Sequence, residues 1–324
     1  MRAVLCEAYG SIDDLVMQEV PSPPLQPDHL KVRVVAAGVN FPDVLIAEGK
    51  YQAKPDLPFS PGSEASGTVV EVGAGVEGFA PGDTVIVTTL WGCFAEEVVA
   101  PASRVMHRPD TMDEITAAGF AITYGTSYHA LVQRAAIQPG ETLLVLGASG
   151  GVGLAAVQLG KVFGARVIAA ASSEEKLALA REHGAAEGIN YSLDGYRDRI
   201  KELTDGRGVD VIYDPVGGAL FEPSLRSLAW GGRHLVVGFA SGEIPKVPAN
   251  LTLLKGCSVV GVFWGYFHRN QNALSVENFR HLFALHAEGR IKPLISTTYP
   301  LERTRDALTA LSTRQVTGKV VVTA

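Results

Sequence analysis

Short apolar runs cut by glycine and proline fill roughly the first 120 residues. Leu30–Ala37, Ala65–Val72 and Asp83–Thr88 have strand length and β-branched content, and turn residues bound each of them. From Asp113 the apolar positions take helical spacing. From Glu141 onward strand-length runs alternate with amphipathic stretches: Thr142–Leu146, Arg166–Ser173, Val209–Asp214, His234–Gly238 and Cys257–Phe263. Such alternation predicts an α/β protein whose second part is a doubly wound parallel sheet. After Trp264 the alternation gives way to a helix over Val276–Glu288, a strand over Pro293–Tyr299, a helix over Arg303–Leu311 and a closing strand over Lys319–Thr323. This irregular tail is expected to return to the first part, giving one domain of 1–122 completed by 265–324, a second of 123–264, and a cleft between them.

The first parallel strand runs into Gly147-Ala-Ser-Gly-Gly-Val-Gly153 and then into a helix. Glycines there permit a tight turn and close backbone approach, and the unpaired N–H groups of a helix start attract phosphate. The strict dinucleotide fingerprint has Ala148 in place of its first glycine, so a merely structural turn is the alternative. Ser149, Gly150, Gly151 and Val152 are the candidate pyrophosphate contacts. The second strand supplies the test, because a site for NAD carries an acidic residue at its end, roughly 20 residues past the loop. Ala171 stands there, followed by Ser172 and Ser173, with Lys176 one helical turn on. Hydroxyls and a cation suit a 2'-phosphate, which favours NADPH over NADH. Alternatively, one of the serines caps the following helix and Lys176 is solvated.

Composition narrows the setting. The chain has 324 residues, 47% of them hydrophobic, with 35 glycines and 18 prolines, enough for two ordinary domains. A formal charge of −6 without any basic run argues against nucleic acid as a partner. Cys6, Cys93 and Cys257 are odd in number and scattered, which fits a reducing compartment and neither a disulfide framework nor a structural zinc site. Met1–Cys6 reads as a strand rather than a signal sequence, and no segment is apolar for long enough to span a bilayer, so the expected location is the cytoplasm. The eight histidines form no metal-like cluster.

Ala37–Asp43, Pro61–Val69, Gly82–Val85, Thr126–Leu131, the glycine loop, Asp210–Gly218 and Thr317–Val321, in this order and spacing, resemble a medium-chain dehydrogenase/reductase over essentially the whole chain. Within that superfamily the chain is similar to the zinc-free quinone oxidoreductases, the group that includes zeta-crystallin. The resemblance implies a GroES-like β-rich catalytic domain, a Rossmann domain, a homodimer, and hydride transfer from NADPH to a quinone or an activated alkene. Zinc-dependent members place cysteine where this chain has Asn40 and histidine where it has Ser63, and the cysteine-rich structural lobe is missing, so no metal is expected. Without a strong Lewis acid the acceptor must take hydride readily, as quinones and α,β-unsaturated carbonyls do.

Asn40 is the first catalytic candidate, as a donor to a developing enolate oxygen; a loop-capping asparagine is the alternative. Asp43 could hold it in place or simply start a helix. Tyr51 resembles the group's active-site tyrosine, against the alternative of a surface aromatic. Glu64 is assigned no chemistry. By resemblance Thr126 touches the nicotinamide and Tyr191 the 2'-phosphate. Phe239, Phe263 and Trp264 lie at or just past strand ends, where they line the nicotinamide site or else pack the core. The weakly charged Gly256–Phe263 run is read as a sheet edge open to a second copy. An enoyl or alkenal reductase, with Arg269 in a mobile 267–270 loop reaching the phosphate of a CoA thioester, is the competing reading. A non-catalytic NADPH-binding structural protein is the third.

Overall fold

The computed structural model describes residues 1–324, which form two compact units. Unit 1 comprises 1–122 and 293–324; unit 2 comprises 123–292.

Unit 1 begins with the strands β1 (Arg2–Leu5), β2 (Val16–Glu19), β3 (His29–Val39), β4 (Glu64–Val72), β5 (Thr84–Thr88), β6 (Glu97–Pro101) and β7 (Val105–His107), with α1 (Phe41–Ala47) after β3 and α2 (Glu114–Ala118) after β7. In unit 2, α3 (Ala121–Tyr128), whose first two residues belong to unit 1, leads to β8 (Thr142–Leu146), α4 (Gly151–Val162), β9 (Arg166–Ala171), α5 (Glu174–Glu182), β10 (Glu187–Asn190), α6 (Tyr196–Leu203) and β11 (Val209–Asp214). Then follow α7 (Phe221–Arg226), β12 (Leu228–Val236), α8 (Ala249–Lys255), β13 (Ser258–Gly261), α9 (Trp264–Asn270) and α10 (Asn272–Ala287). The chain ends in unit 1 with β14 (Ile295–Pro300), α11 (Thr304–Ser312) and β15 (Lys319–Thr323).

In unit 1 a seven-stranded sheet carries the order β14-β15-β3-β4-β5-β7, with β6 also paired to β3. The last strand therefore lies beside β3, pairing Val320 with Val39 and Val322 with Ala37. Its core gathers Leu30, Val32, Val69, Val85, Phe94, Val320 and Leu308. Unit 2 is a six-stranded sheet in the order β10-β9-β8-β11-β12-β13, parallel throughout. All five residues of β8 are buried, as a central strand covered on both faces requires. The order reverses between β8 and β11, so the crevice of this unit lies at their carboxyl ends.

Two expectations need correction. Residues 265–292 do not return to the first domain: α9 and α10 stay in unit 2. Aromatic packing explains this, with Tyr128 bonded to His281 Nδ1 at 2.8 Å, Phe279 edge-on to Trp264, and Asn278 bonded to Gln133. Segment 267–270 is helical rather than a loop. Phe267 and His268 are buried in it, and the Arg269 guanidinium lies over the Tyr266 ring. No helix is long and apolar enough to cross a membrane.

Candidate functional site

Unit 2 carries two anion-attracting sets. In the first, β8 delivers the chain to Gly147, and α4 starts after Gly150, an N-cap residue that has no side chain to accept from the first-turn N–H groups. Ser149 is buried beside them. A side chain at Gly153 would begin 2.2 Å from the Gly147 carbonyl oxygen, so the loop closes on the helix only because that position is glycine. Behind the turn, Ser127 Oγ donates to the Val152 carbonyl at 2.9 Å and pairs with the buried Tyr213 hydroxyl at 2.9 Å. Thr126 stands next to that serine, half-buried.

The second set lies at the end of β9. Ser173 caps α5 by accepting from the Lys176 backbone N–H, and Lys176 Nζ donates to Ser172 Oγ at 3.3 Å. Tyr191 N–H is bonded to the Ala171 carbonyl, and Ser192 Oγ to the Ser172 carbonyl, so β10 brings the tyrosine to the same strand end. Capping and a cluster of donors thus coexist, because the cap uses Ser173 and leaves Ser172 with the lysine. Phe239 packs over Gly217, and Phe263 is 51% exposed. Trp264 is corrected to a core residue: its ring stacks on His268 with centroids 4.9 Å apart and fills the space beside Gly125.

Unit 1 buries a polar cluster around α1. Asp43 accepts from the Asn40 backbone N–H through Oδ2 at 2.8 Å and from Ser63 Oγ through Oδ1 at 2.7 Å. Asn40 is 6% exposed, and its side-chain amide is held at both ends. Nδ2 donates to Glu64 Oε1 at 3.0 Å and to the Gly38 carbonyl at 3.2 Å, with Ser63 Oγ at 3.4 Å, while Oδ1 accepts from Lys319 Nζ at 2.5 Å. That ammonium also pairs with Glu64 Oε1 at 2.7 Å, and Glu64 Oε2 accepts from the Ile122 N–H. Asn40 can donate to an outside oxygen only by exchanging one of these bonds. Tyr51, by contrast, is half-buried against the core of unit 1, and burial raises its hydroxyl pKa.

Two parts of this cluster escape a sequence reading. Lys319 is the first residue of an apolar strand at the far end of the chain, and its only signal is a charge on a run that otherwise reads as core. Cys93 is buried with Thr89 at 3.4 Å, and burial pushes its thiol up to about 12. No group of three or more His, Cys, Asp or Glu side chains is arranged to hold a metal ion. The cation of the cluster is the lysine.

Burial pushes the Asp43 carboxyl up to about 7, against the lowering effect of Ser63, the Asn40 N–H and Lys319. Its folded pKa exceeds its unfolded value, so its contribution to stability is complete below about pH 4 and is lost as pH rises through about 7. Asp43→Asn removes this dependence. In denaturant titrations across that window, wild type should lose up to about 1.4 kcal/mol per pH unit relative to the variant. Parallel curves for the two proteins count against the assignment.

Comparison with known proteins agrees with both units. Residues 26–110 match the alcohol dehydrogenase GroES-like domain, and residues 151–278 match the zinc-binding dehydrogenase family. A Nematostella vectensis quinone oxidoreductase-like protein 2 homolog is 43% identical over 99% of this chain and 88% of its own length. The chain belongs to the quinone oxidoreductases of the medium-chain dehydrogenase/reductase superfamily. As a member of that family it is an oxidoreductase. Among solved structures, Escherichia coli quinone oxidoreductase in complex with NADPH superposes with a TM-score of 0.94 at 29% identity, covering all of both chains. A mycobacterial protein, also solved with NADPH, gives 0.93 at 32%, again covering all of both chains.

Proposed function

We propose that this quinone oxidoreductase family member uses NADPH to transfer hydride to a quinone, without a metal ion. The observation that carries the reading is the pair of anion-attracting sets in unit 2. Backbone groups of Ser149, Gly150, Gly151 and Val152 would hold a pyrophosphate. Ser172, Ser173, Lys176 and Tyr191 would hold a 2'-phosphate, and no carboxylate stands at Ala171 to repel it. Thr126 and Phe239 would meet the nicotinamide end. A reduced nicotinamide supplies a hydride when bound. Relatives named quinone oxidoreductase or quinone oxidoreductase-like protein, and two solved neighbours with NADPH, one of them named a quinone oxidoreductase, support the same donor and acceptor.

On the acceptor side, hydride arrival leaves negative charge on oxygen, and a hydrogen-bond donor there lowers the barrier. Tyr51 is the candidate donor, since its phenol lies outside the closed amide network. Asn40 and Asp43 then serve as the frame, with Lys319 fixing which way the Asn40 amide faces. The experiment is NADPH oxidation measured in parallel with 1,4-benzoquinone, 9,10-phenanthrenequinone, crotonyl-CoA and a 2-alkenal. Turnover of the alkenes alone sinks the quinone reading, and binding of NADPH without oxidation by any acceptor points to a non-catalytic protein. Lys176→Ala is expected to raise KM for NADPH by about tenfold or more and to leave KM for NADH within about twofold. Equal shifts for both cofactors would remove Lys176 from the phosphate site.

The reading includes a homodimer formed through β13. This strand ends the unit 2 sheet, and Phe263 and Tyr266 are exposed just past it. Ser258→Lys places a charge on that edge and is expected to shift the protein to monomer in sedimentation velocity; an unchanged dimer would rule this edge out.

A further inference from the structure

The buried pair Asp214 and His234 has a place in unit 2 that the reading above does not use. Asp214 is the last residue of β11, the strand beside the glycine loop's own strand at the point where the sheet order reverses. One oxygen, Oδ1, accepts from the backbone N–H groups of Val216 at 2.9 Å and Gly217 at 2.8 Å, which curls the chain into a tight turn. The Asp214 carbonyl accepts from Val237 N–H at 2.9 Å, fixing the turn to the end of β12 as well. Held in this way, the turn reaches the first set: Val216 Cγ2 takes up the space beside Gly147, 3.0 Å from where a side chain there would begin. The turn is therefore the second wall of the crevice whose first wall is the glycine loop.

The remaining oxygen, Oδ2, is 2.9 Å from His234 Nε2. Neither side chain is open to solvent, with the imidazole 0% and the carboxylate 2% exposed. His234 Nδ1 has no partner, and the ring faces Phe221, 4.4 Å between centroids. That environment puts the ring proton on Nε2, donating to Asp214, and leaves Nδ1 a bare acceptor among apolar groups. An orphaned buried nitrogen carries a cost, and a leucine at this strand position would fill similar space without it. What histidine adds is a single donor aimed at Asp214 Oδ2.

We infer that His234 is a positioning residue for dinucleotide binding: through Asp214 it fixes the 214–217 turn that faces the glycine loop. The inference rests on the proposal that unit 2 binds NADPH, and not on the identity of the acceptor. Free to rotate, the Asp214 carboxylate would no longer hold both N–H groups in one arrangement, and the wall would have to be ordered when the cofactor binds.

The test compares wild type with His234→Leu, His234→Gln and Ile212→Val, the last a buried trim in the neighbouring strand. Fluorescence titration gives Kd for NADPH, steady-state kinetics give KM and kcat, and thermal melts report folding. His234→Leu is expected to raise Kd and KM for NADPH by about tenfold while kcat at saturation stays within about twofold. Gln, which restores an N–H donor, should return Kd to within about threefold of wild type. Ile212→Val should lower the melting temperature and leave Kd alone. A His234→Leu protein that melts earlier but binds NADPH as wild type does would overturn the inference, since packing alone would explain it. Should that variant not fold, Asp214→Asn decides: it presents either a donor or a weaker acceptor to Nε2–H, so the same rise in Kd is expected and an unchanged Kd refutes the inference. Wild-type protein that does not bind NADPH would remove the proposed function itself, and this inference with it.

Discussion

Gly153→Ala is expected to raise Kd for NADPH by up to about a hundredfold. The added methyl would start 2.2 Å from the Gly147 carbonyl oxygen, a backbone atom, so the turn and the first helical turn of α4 must separate. Gly150→Ala is the control that locates the effect. A side chain at 150 meets only the Gly147 oxygen at 3.5 Å, an ordinary contact, and the backbone there has φ −79°, which alanine adopts without strain. Gly150→Ala should melt as wild type does, so any loss of NADPH affinity reports the approach of the ligand. Equilibrium titrations on both variants check this, and wild-type affinity in Gly153→Ala would mean the glycine loop is not the phosphate seat.

The second large effect belongs to Lys319. Lys319→Met removes the ammonium and leaves Glu64, whose side chain is wholly buried, with no cation, while Asn40 Oδ1 loses its donor. Breaking one side of a buried pair typically costs about 3–5 kcal/mol. For a unit of this size that corresponds to a fall of roughly 10 °C in melting temperature, read as the unit 1 transition in calorimetry. Adding Glu64→Gln should recover most of the loss, because a neutral amide no longer needs the charge and can still accept from the Ile122 N–H. If the double variant is no more stable than Lys319→Met, the ion pair is not the origin of the loss.

The alternation of apolar runs made the parallel sheet legible because β8, β9 and β11 are buried on both faces and so read as continuous apolar strands. The glycine loop and the Ser172–Lys176 set were legible because all their parts are local in sequence. The tail was misjudged at 265–292 because nothing local states which sheet an amphipathic helix will cover. Contacts of His281 with Tyr128 and of Asn278 with Gln133, both more than a hundred positions earlier, decide it. The unit 1 cluster was half legible. Asn40, Asp43, Ser63 and Glu64 come from two short stretches, whereas Lys319 arrives on the last strand. Trp264 is ambiguous on any sequence pattern, since an aromatic just past a strand end either lines a crevice or fills a core.

The sheet of unit 1 takes β15 from the end of the chain, and Lys319 comes with it. During synthesis the nascent amino-terminal segment therefore leaves the ribosome with Glu64 without its lysine and residues 36–39 of β3 unpaired on the side that β15 later takes. Unit 2 is continuous in sequence and has its whole sheet before unit 1 has its last two strands. The order of completion is set accordingly: unit 2 has all its strands once residue 292 is made, and unit 1 only once β15 is. Ribosome-stalled chains that carry 1–292 followed by an unstructured linker long enough to clear the exit tunnel should thus resist protease across 123–292 and be cut freely in 1–122.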